Sequence, residues 1–160
     1  GLVDIVYNKG NNTVIILDNR TTGMTGHQQH AATGKTLKGE DTYAINLANL
    51  CKAIGVPNVI EINAFDVQGL EKTLKETVNG NVLTVIIAKA PCALLKGQKF
   101  PYKCVASPEN CKKCGMCLKI GCPAITKQPD GTVKIDQTMC NGCGLCASYC
   151  KFNAISKVEK

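Results

Sequence analysis

Two periodicities alternate along the first part of the chain. Leu2, Ile5 and Val6 fall on one face of a short helix over Gly1–Asn8, and Asn8-Lys9-Gly10 supplies a stop, with Gly10 free to take the left-handed conformation. Thr13-Val14-Ile15-Ile16-Leu17 is then a continuous apolar run, rich in β-branched residues, of the kind buried on both faces of a parallel sheet. Asp41 or Thr42 can cap a helix reaching about Ala53, with Ala44, Leu47, Ala48 and Cys51 on one face. Asn58 to Ile62 reads as a strand after Pro57, Val67 to Val78 as a helix with Leu70 and Leu74 inward, and Val82 to Ala88 as a third, strongly apolar strand. Strands alternating with helices predict a doubly wound α/β domain. The charged Lys35 to Asp41 segment reads as a solvated linker. A helix beginning at residue 1 with neither an N-cap nor an initiator methionine reads as part of a processed, split or truncated polypeptide.

Near residue 99 the pattern changes, which predicts two domains, 1–98 and 99–160. Only two of the eleven cysteines, Cys51 and Cys92, precede that point. Residues 1–98 carry nine Lys and Arg against eight Asp and Glu, net +1, whereas 99–160 carry ten against four, net +6.

The cysteines of the second part form two matching runs. Cys111-Lys112-Lys113-Cys114-Gly115-Met116-Cys117 is followed by Cys122-Pro123, and Cys140-Asn141-Gly142-Cys143-Gly144-Leu145-Cys146 by Cys150. Three cysteines spaced by two residues and a fourth set back is the ligand spacing of a [4Fe-4S] cluster, whose remote cysteine serves the other cluster when two are present. The spacing therefore predicts one cluster on Cys111, Cys114, Cys117 and Cys150, and a second on Cys140, Cys143, Cys146 and Cys122. Gly115, Gly142 and Gly144 suit close backbone approach to the sulfurs. Zinc ribbons also use CxxC pairs, but a repeated third cysteine exceeds what one tetrahedral ion needs. A disulfide framework belongs to small secreted chains, and nothing here resembles a signal peptide. Cys51, Cys92 and Cys104 are expected to be packed thiols, since eight ligands satisfy two cubanes.

The thiolates also change the meaning of the charge. Two oxidised clusters, each about 2− with its thiolates, would leave the second domain near +2 and the chain near +3. That balance, with four tyrosines, three phenylalanines and no tryptophan, argues against nucleic acid. A mild positive rim could steer an acidic electron carrier. No stretch is apolar and long enough to span a bilayer, and the first domain reads as cytoplasmic.

The first strand delivers the chain to Asp18-Asn19-Arg20-Thr21-Thr22-Gly23-Met24-Thr25-Gly26-His27-Gln28. Ligands of open α/β sheets bind beyond the carboxyl ends of the strands, where this loop stands. Asn19 offers a side-chain oxygen and Thr21 a main-chain one, both suited to Mg²⁺. Gly23 and Gly26 allow close approach to a phosphate, to which the Thr22 and Thr25 hydroxyls can donate. On chemistry alone the segment reads first as a solvated turn and only second as a cofactor site.

The run LDNRTTGMTGHQ closely resembles the thiamin-diphosphate loop of the 2-oxoacid:ferredoxin oxidoreductases, particularly the large subunit of the indolepyruvate branch. PCAL at Pro91 to Leu94 and GCPAI at Gly121 to Ile125 extend the resemblance over essentially the whole chain. It implies the C-terminal part of a thiamin-diphosphate-binding doubly wound domain followed by a small α+β two-cluster [4Fe-4S] ferredoxin domain. By the same resemblance Asn19 and Thr21 would hold Mg²⁺, Thr25 and Gly26 would lie against the cofactor, and His27 would stand near it; His30 reads as structural. Gln29 and Ala31 replace expected prolines, Lys151 replaces the proline usual after the last cysteine, and four residues separate Cys117 from Cys122.

The activity so implied is oxidative decarboxylation of a 2-oxoacid, of the arylpyruvate class, with coenzyme A taking the acyl group and electrons passing singly through the clusters to an external ferredoxin. The family's Gly-Asp metal motif and its aminopyrimidine-binding domain do not occur in these residues, so another segment or subunit would have to supply them, and the chain alone should not catalyse. A stand-alone ferredoxin-like carrier with an N-terminal docking domain, and a sister enzyme acting on pyruvate or another 2-oxoacid, are the rival readings.

Overall fold

The computed structural model describes residues 1–159, which divide into two compact units, one ending at Gln98 and the other beginning at Lys99. In the first, helix α1 (Leu2–Tyr7) leads to β1 (Thr13–Asp18), α2 (Leu47–Ile54), β2 (Asn58–Asn63), α3 (Val67–Val78) and β3 (Thr84–Lys89). The three strands form a parallel sheet in the order β1-β3-β2, and the central strand β3 is the most buried. Strand alternation turns Val85 and Ile87 toward a core shared with Ala48, Cys51 and Val56, against which Leu2, Ile5 and Val6 of α1 pack. Ile86 takes the other face and is equally enclosed. On the edge strand β1 that second face is open: Ile15 is 45% and Leu17 76% exposed.

Two expectations are corrected here. The second helix begins at Leu47, not at Asp41 or Thr42, because the Asn46 side chain accepts from the Asn49 N–H (2.9 Å) and caps it. Residues 35–41 are largely exposed, as a solvated segment should be, and are closed by an isolated antiparallel bridge and an ion pair between Lys35 and Asp41, while Ala44 lies outside any helix. After α1 the left-handed residue is Lys9 (φ 55°) rather than Gly10. Gly10 is needed for space, since a Cβ there would stand 2.9 Å from Ile5 Cγ2.

The second unit is built twice over. A 3-10 turn (Met116–Ile120) and helix α4 (Leu145–Tyr149) each follow a cysteine pair, and each is entered through a left-handed glycine, Gly115 (φ 70°) or Gly144 (φ 80°). Strand β4 (Tyr102–Ala106) pairs antiparallel with β7 (Ile155–Glu159), and β5 (Ile125–Lys127) with β6 (Val133–Ile135). Cys117, Cys146 and Cys104 share the resulting core with Ala124, Ile125, Val133, Ile135 and Ile155.

Ile87→Ala should cost the first unit about 2–5 kcal/mol in denaturant unfolding, because Ile87 is fully enclosed. Leu17→Ala on the open face should change it by less than about 0.5 kcal/mol in the isolated chain.

Candidate cofactor loop and cysteine chambers

The loop after β1 is shaped by its own polar side chains. Asp18, buried, accepts from Arg20 N–H (3.1 Å) and pairs with the Arg20 guanidinium (3.2 Å), and Arg20 takes a left-handed conformation (φ 63°). The Asn19 carbonyl accepts from Cys92 N–H (3.0 Å), which ties the loop to the segment after β3. Asn19 Oδ1 accepts from Thr21 N–H (3.1 Å), an Asx turn that keeps this oxygen at the loop surface with one lone pair to spare. Thr22 and Gln28 then exchange main-chain hydrogen bonds (3.0 and 3.3 Å), closing a hairpin whose tip is Gly23 to His27. Thr22, Thr25, Gly26 and His27 are exposed there, and the Thr25 hydroxyl donates to Gln28 Oε1. His27 is left-handed (φ 60°), turned outward with the hairpin tip.

Beyond the strand ends lies a cavity of about 200 Å³ lined by Asp18, Arg20, Lys89 and the start of α2. Reading the sequence singled out none of these three charges. The signal available was the position of Asp18, first polar residue after an apolar strand.

In the second unit the cysteines separate into two groups that cross the order of the chain. Burial, and then the neighbouring sulfurs Cys111, Cys114 and Cys150, push the Cys117 thiol above its ordinary value. Cys146 is pushed up to about 12, first by burial and then by Cys104, Cys143 and Cys122. Cys150 thus lies with the first run and Cys122 with the second. Cys122, Cys140, Cys143 and Cys146 border a cavity of about 140 Å³ walled by Ile120, Ile125, Ile135 and Leu145. Burial of this kind favours the neutral thiol, and a metal bound by such sulfurs would release their protons.

Main-chain donors aim at these sulfurs. Cys104 N–H donates to Cys140 Sγ (3.5 Å) and Ala154 N–H to Cys150 Sγ (3.2 Å). Turns ahead of both runs repeat one device: Ser107 Oγ accepts from Asn110 N–H, and Asp136 Oδ1 from Thr138 N–H (2.8 Å) and its hydroxyl (2.6 Å). The Thr138 donors hold the Asp136 carboxyl below its usual range, and Cys140 N–H in turn donates to the Asp136 carbonyl (3.0 Å). Among the described residues, no three His, Cys, Asp or Glu side chains gather as ligands of a single metal ion.

Cys51 is packed in the first core as expected, and Cys92 is half-buried in the segment after β3. Cys104 is buried in β4, but its neighbours are sulfurs as much as hydrocarbon.

Comparisons with known proteins bear on both units. Residues 1–88 match the family model "Thiamine pyrophosphate enzyme, C-terminal TPP binding domain", and residues 133–156 match "4Fe-4S binding domain". The chain belongs to the thiamine pyrophosphate enzymes and carries a 4Fe-4S domain after their C-terminal TPP-binding domain. More particularly, it is homologous to the C-terminal quarter of indolepyruvate oxidoreductase subunit IorA. It is 36% identical to IorA of Archaeoglobus fulgidus and 33% to IorA of Thermococcus kodakarensis, each over 99% of this chain. It spans 26% of the length of those relatives. Pyruvate synthase subunit PorD of Methanocaldococcus jannaschii is 39% identical over 61 residues, 37% of this chain and 70% of that protein. No helix among the described residues is long and apolar enough to cross a membrane.

The glycines of the two runs allow a direct test. A Cβ on Gly142 (φ 88°) would fall 1.8 Å from the Tyr102 carbonyl oxygen, whereas one on Gly115 would meet only Leu118 Cδ1 at 3.9 Å. Gly142→Ala should therefore destabilise the second unit by about 2–4 kcal/mol in denaturant unfolding, and Gly115→Ala by about 1–2 kcal/mol, the cost of the left-handed backbone alone.

Proposed function

We propose that this chain is the electron-transferring C-terminal portion of a thiamin-diphosphate-dependent 2-oxoacid oxidoreductase. Its substrate class is arylpyruvate, its acyl acceptor coenzyme A, and its electrons leave through two [4Fe-4S] clusters to an external ferredoxin. The observation that carries this reading is the crossed grouping of cysteines, with Cys150 beside Cys111, Cys114 and Cys117, and Cys122 beside Cys143 and Cys146. In this assignment the first cluster is held by Cys111, Cys114, Cys117 and Cys150, the second by Cys140, Cys143, Cys146 and Cys122.

Bound thiamin diphosphate would supply the decarboxylation chemistry and the clusters the one-electron steps. The chain's own part is to position and insulate. Asn19 Oδ1 and the Thr21 carbonyl would hold Mg²⁺, with Thr22, Thr25, Gly26 and His27 against the diphosphate. These oxygens are neutral, and the one nearby carboxylate, Asp18, is engaged by Arg20. Metal affinity of the isolated loop should therefore be weak, and another segment or subunit of the oxidoreductase would contribute the charged ligand. We place the assembly in the cytoplasm of an anaerobically adapted cell.

The carrier reading has one observation in its favour, the similarity to PorD, a short polypeptide of which this chain covers 70%. Co-purification separates the two: the enzyme reading requires a partner that completes the diphosphate site, and isolation from its native source as a stable monomer without one would overturn it. Anaerobically prepared chain should contain about eight irons and eight acid-labile sulfides. Cys150→Ser should perturb the spectrum of the cluster on Cys111, Cys114 and Cys117 and spare the other; damage confined to the Cys140 cluster would refute the crossing.

A further inference from the structure

The two cysteine groups are alike in ligand number and unlike in their neighbours along the chain. Cys111, Cys114 and Cys150 are flanked by Lys112, Lys113 and Lys151, all exposed, whereas no residue flanking Cys122, Cys140, Cys143 or Cys146 is charged. Cys114 is also the one exposed cysteine of the eleven. The second chamber is bordered by apolar side chains and reaches the surface at Met139.

The fold brings the three lysines to one place. Cys150 ends α4, and α4 packs on the 3-10 turn that holds Cys117, so Lys151 is carried back to the run that contains Lys112 and Lys113. Among the described residues none of the three forms an ion pair. The Lys113 stem lies against Gly131, and the carboxylate next along, Asp130, is taken by the Thr132 N–H (3.1 Å) and hydroxyl (2.7 Å). Glu109, exposed, is the acid that precedes the run. Phe152, 46% exposed, follows Lys151 and supplies the kind of aromatic contact that protein interfaces favour. Lysines on the side of the second group are engaged instead. Lys103 donates to the Gln137 carbonyl, and Lys157 lies over the Tyr102 ring (5.7 Å) with its stem across Gly144.

Resting on the two-cluster reading above, we propose that Lys112, Lys113 and Lys151 form the docking surface for a small acidic one-electron carrier protein, which takes its electron at Cys114. An oxidised cubane with four thiolates carries about two negative charges. Near the surface that charge would repel an acidic partner; lysines beside the ligands offset it and steer the partner in. One-electron transfer between proteins weakens steeply with distance, so the exposed ligand is the shortest way out. The transfer moves one electron from chain to carrier, with no bond made and no proton moved.

The test titrates the intact, cluster-loaded chain with an acidic two-[4Fe-4S] ferredoxin by calorimetry, and follows transfer from the reduced chain to that ferredoxin by stopped flow. Replacing Lys112, Lys113 and Lys151 together by Gln should weaken binding and slow transfer at low salt by about tenfold or more, with iron content unchanged. Added salt should close the gap between parent and variant. The triple replacement by Arg, and the pair Lys103→Gln with Lys157→Gln, should each stay within about twofold of the parent. Transfer to methyl viologen, which needs no docking surface, should be equal in all. Unchanged binding in the Gln variant, an equal loss in the Arg or the Lys103 and Lys157 variant, or an equal loss toward methyl viologen would overturn the proposal. A parent that holds its clusters and does not bind the ferredoxin would overturn it too. Should the triple Gln variant lose iron, the three single Gln replacements make the same comparison, each expected to weaken binding about twofold. Parent protein without iron and sulfide would instead sink the two-cluster reading before any lysine is replaced.

Discussion

The convergence of thiols from both ends of a short stretch of chain is the constraint on which the second unit depends. Cys150 must come back to the first cysteine run and Cys122 forward to the second, so neither run can form its chamber alone. Two-stranded sheets and two brief helical turns are poor sources of stability. A good part of the core they enclose is itself sulfur, with Cys117, Cys146 and Cys104 packed among Ile125, Val133, Ile135 and Ile155. A ligand body bonded to these sulfurs would therefore act as core and cofactor together.

The first unit follows a different logic. Its stability comes from hydrocarbon enclosed on both faces of β3, and its chemistry from a polar loop at the carboxyl end of β1. That loop is rigid for a local reason. Asp18, Asn19 and Thr22 each close a turn onto neighbouring main-chain groups, and the Asn19 carbonyl ties the loop to Cys92. Side chains that would meet a phosphate or a metal, Thr22, Thr25 and Asn19, are left at the surface.

Much of this was legible in the residues. The strands and α3 were visible because β-branched runs and helical spacing are strong local signals. The cysteine runs announce their chemistry because ligand spacing is a local property of tight turns. Where reading the sequence went astray, a competing contact had won. Asn46 capped α2 in place of Asp41 or Thr42.

Sequence by itself determined the two-part organisation, the identity of the apolar strands and the repeated ligand pattern, because each depends on residues close together along the chain. Only the tertiary structure decided which sulfurs stand together, that Asp18 is neutralised by Arg20, and that Cys104 joins the second chamber rather than an ordinary core. The last depends on β4 lying against a run of cysteines more than thirty positions away, a distance over which composition and periodicity carry no information.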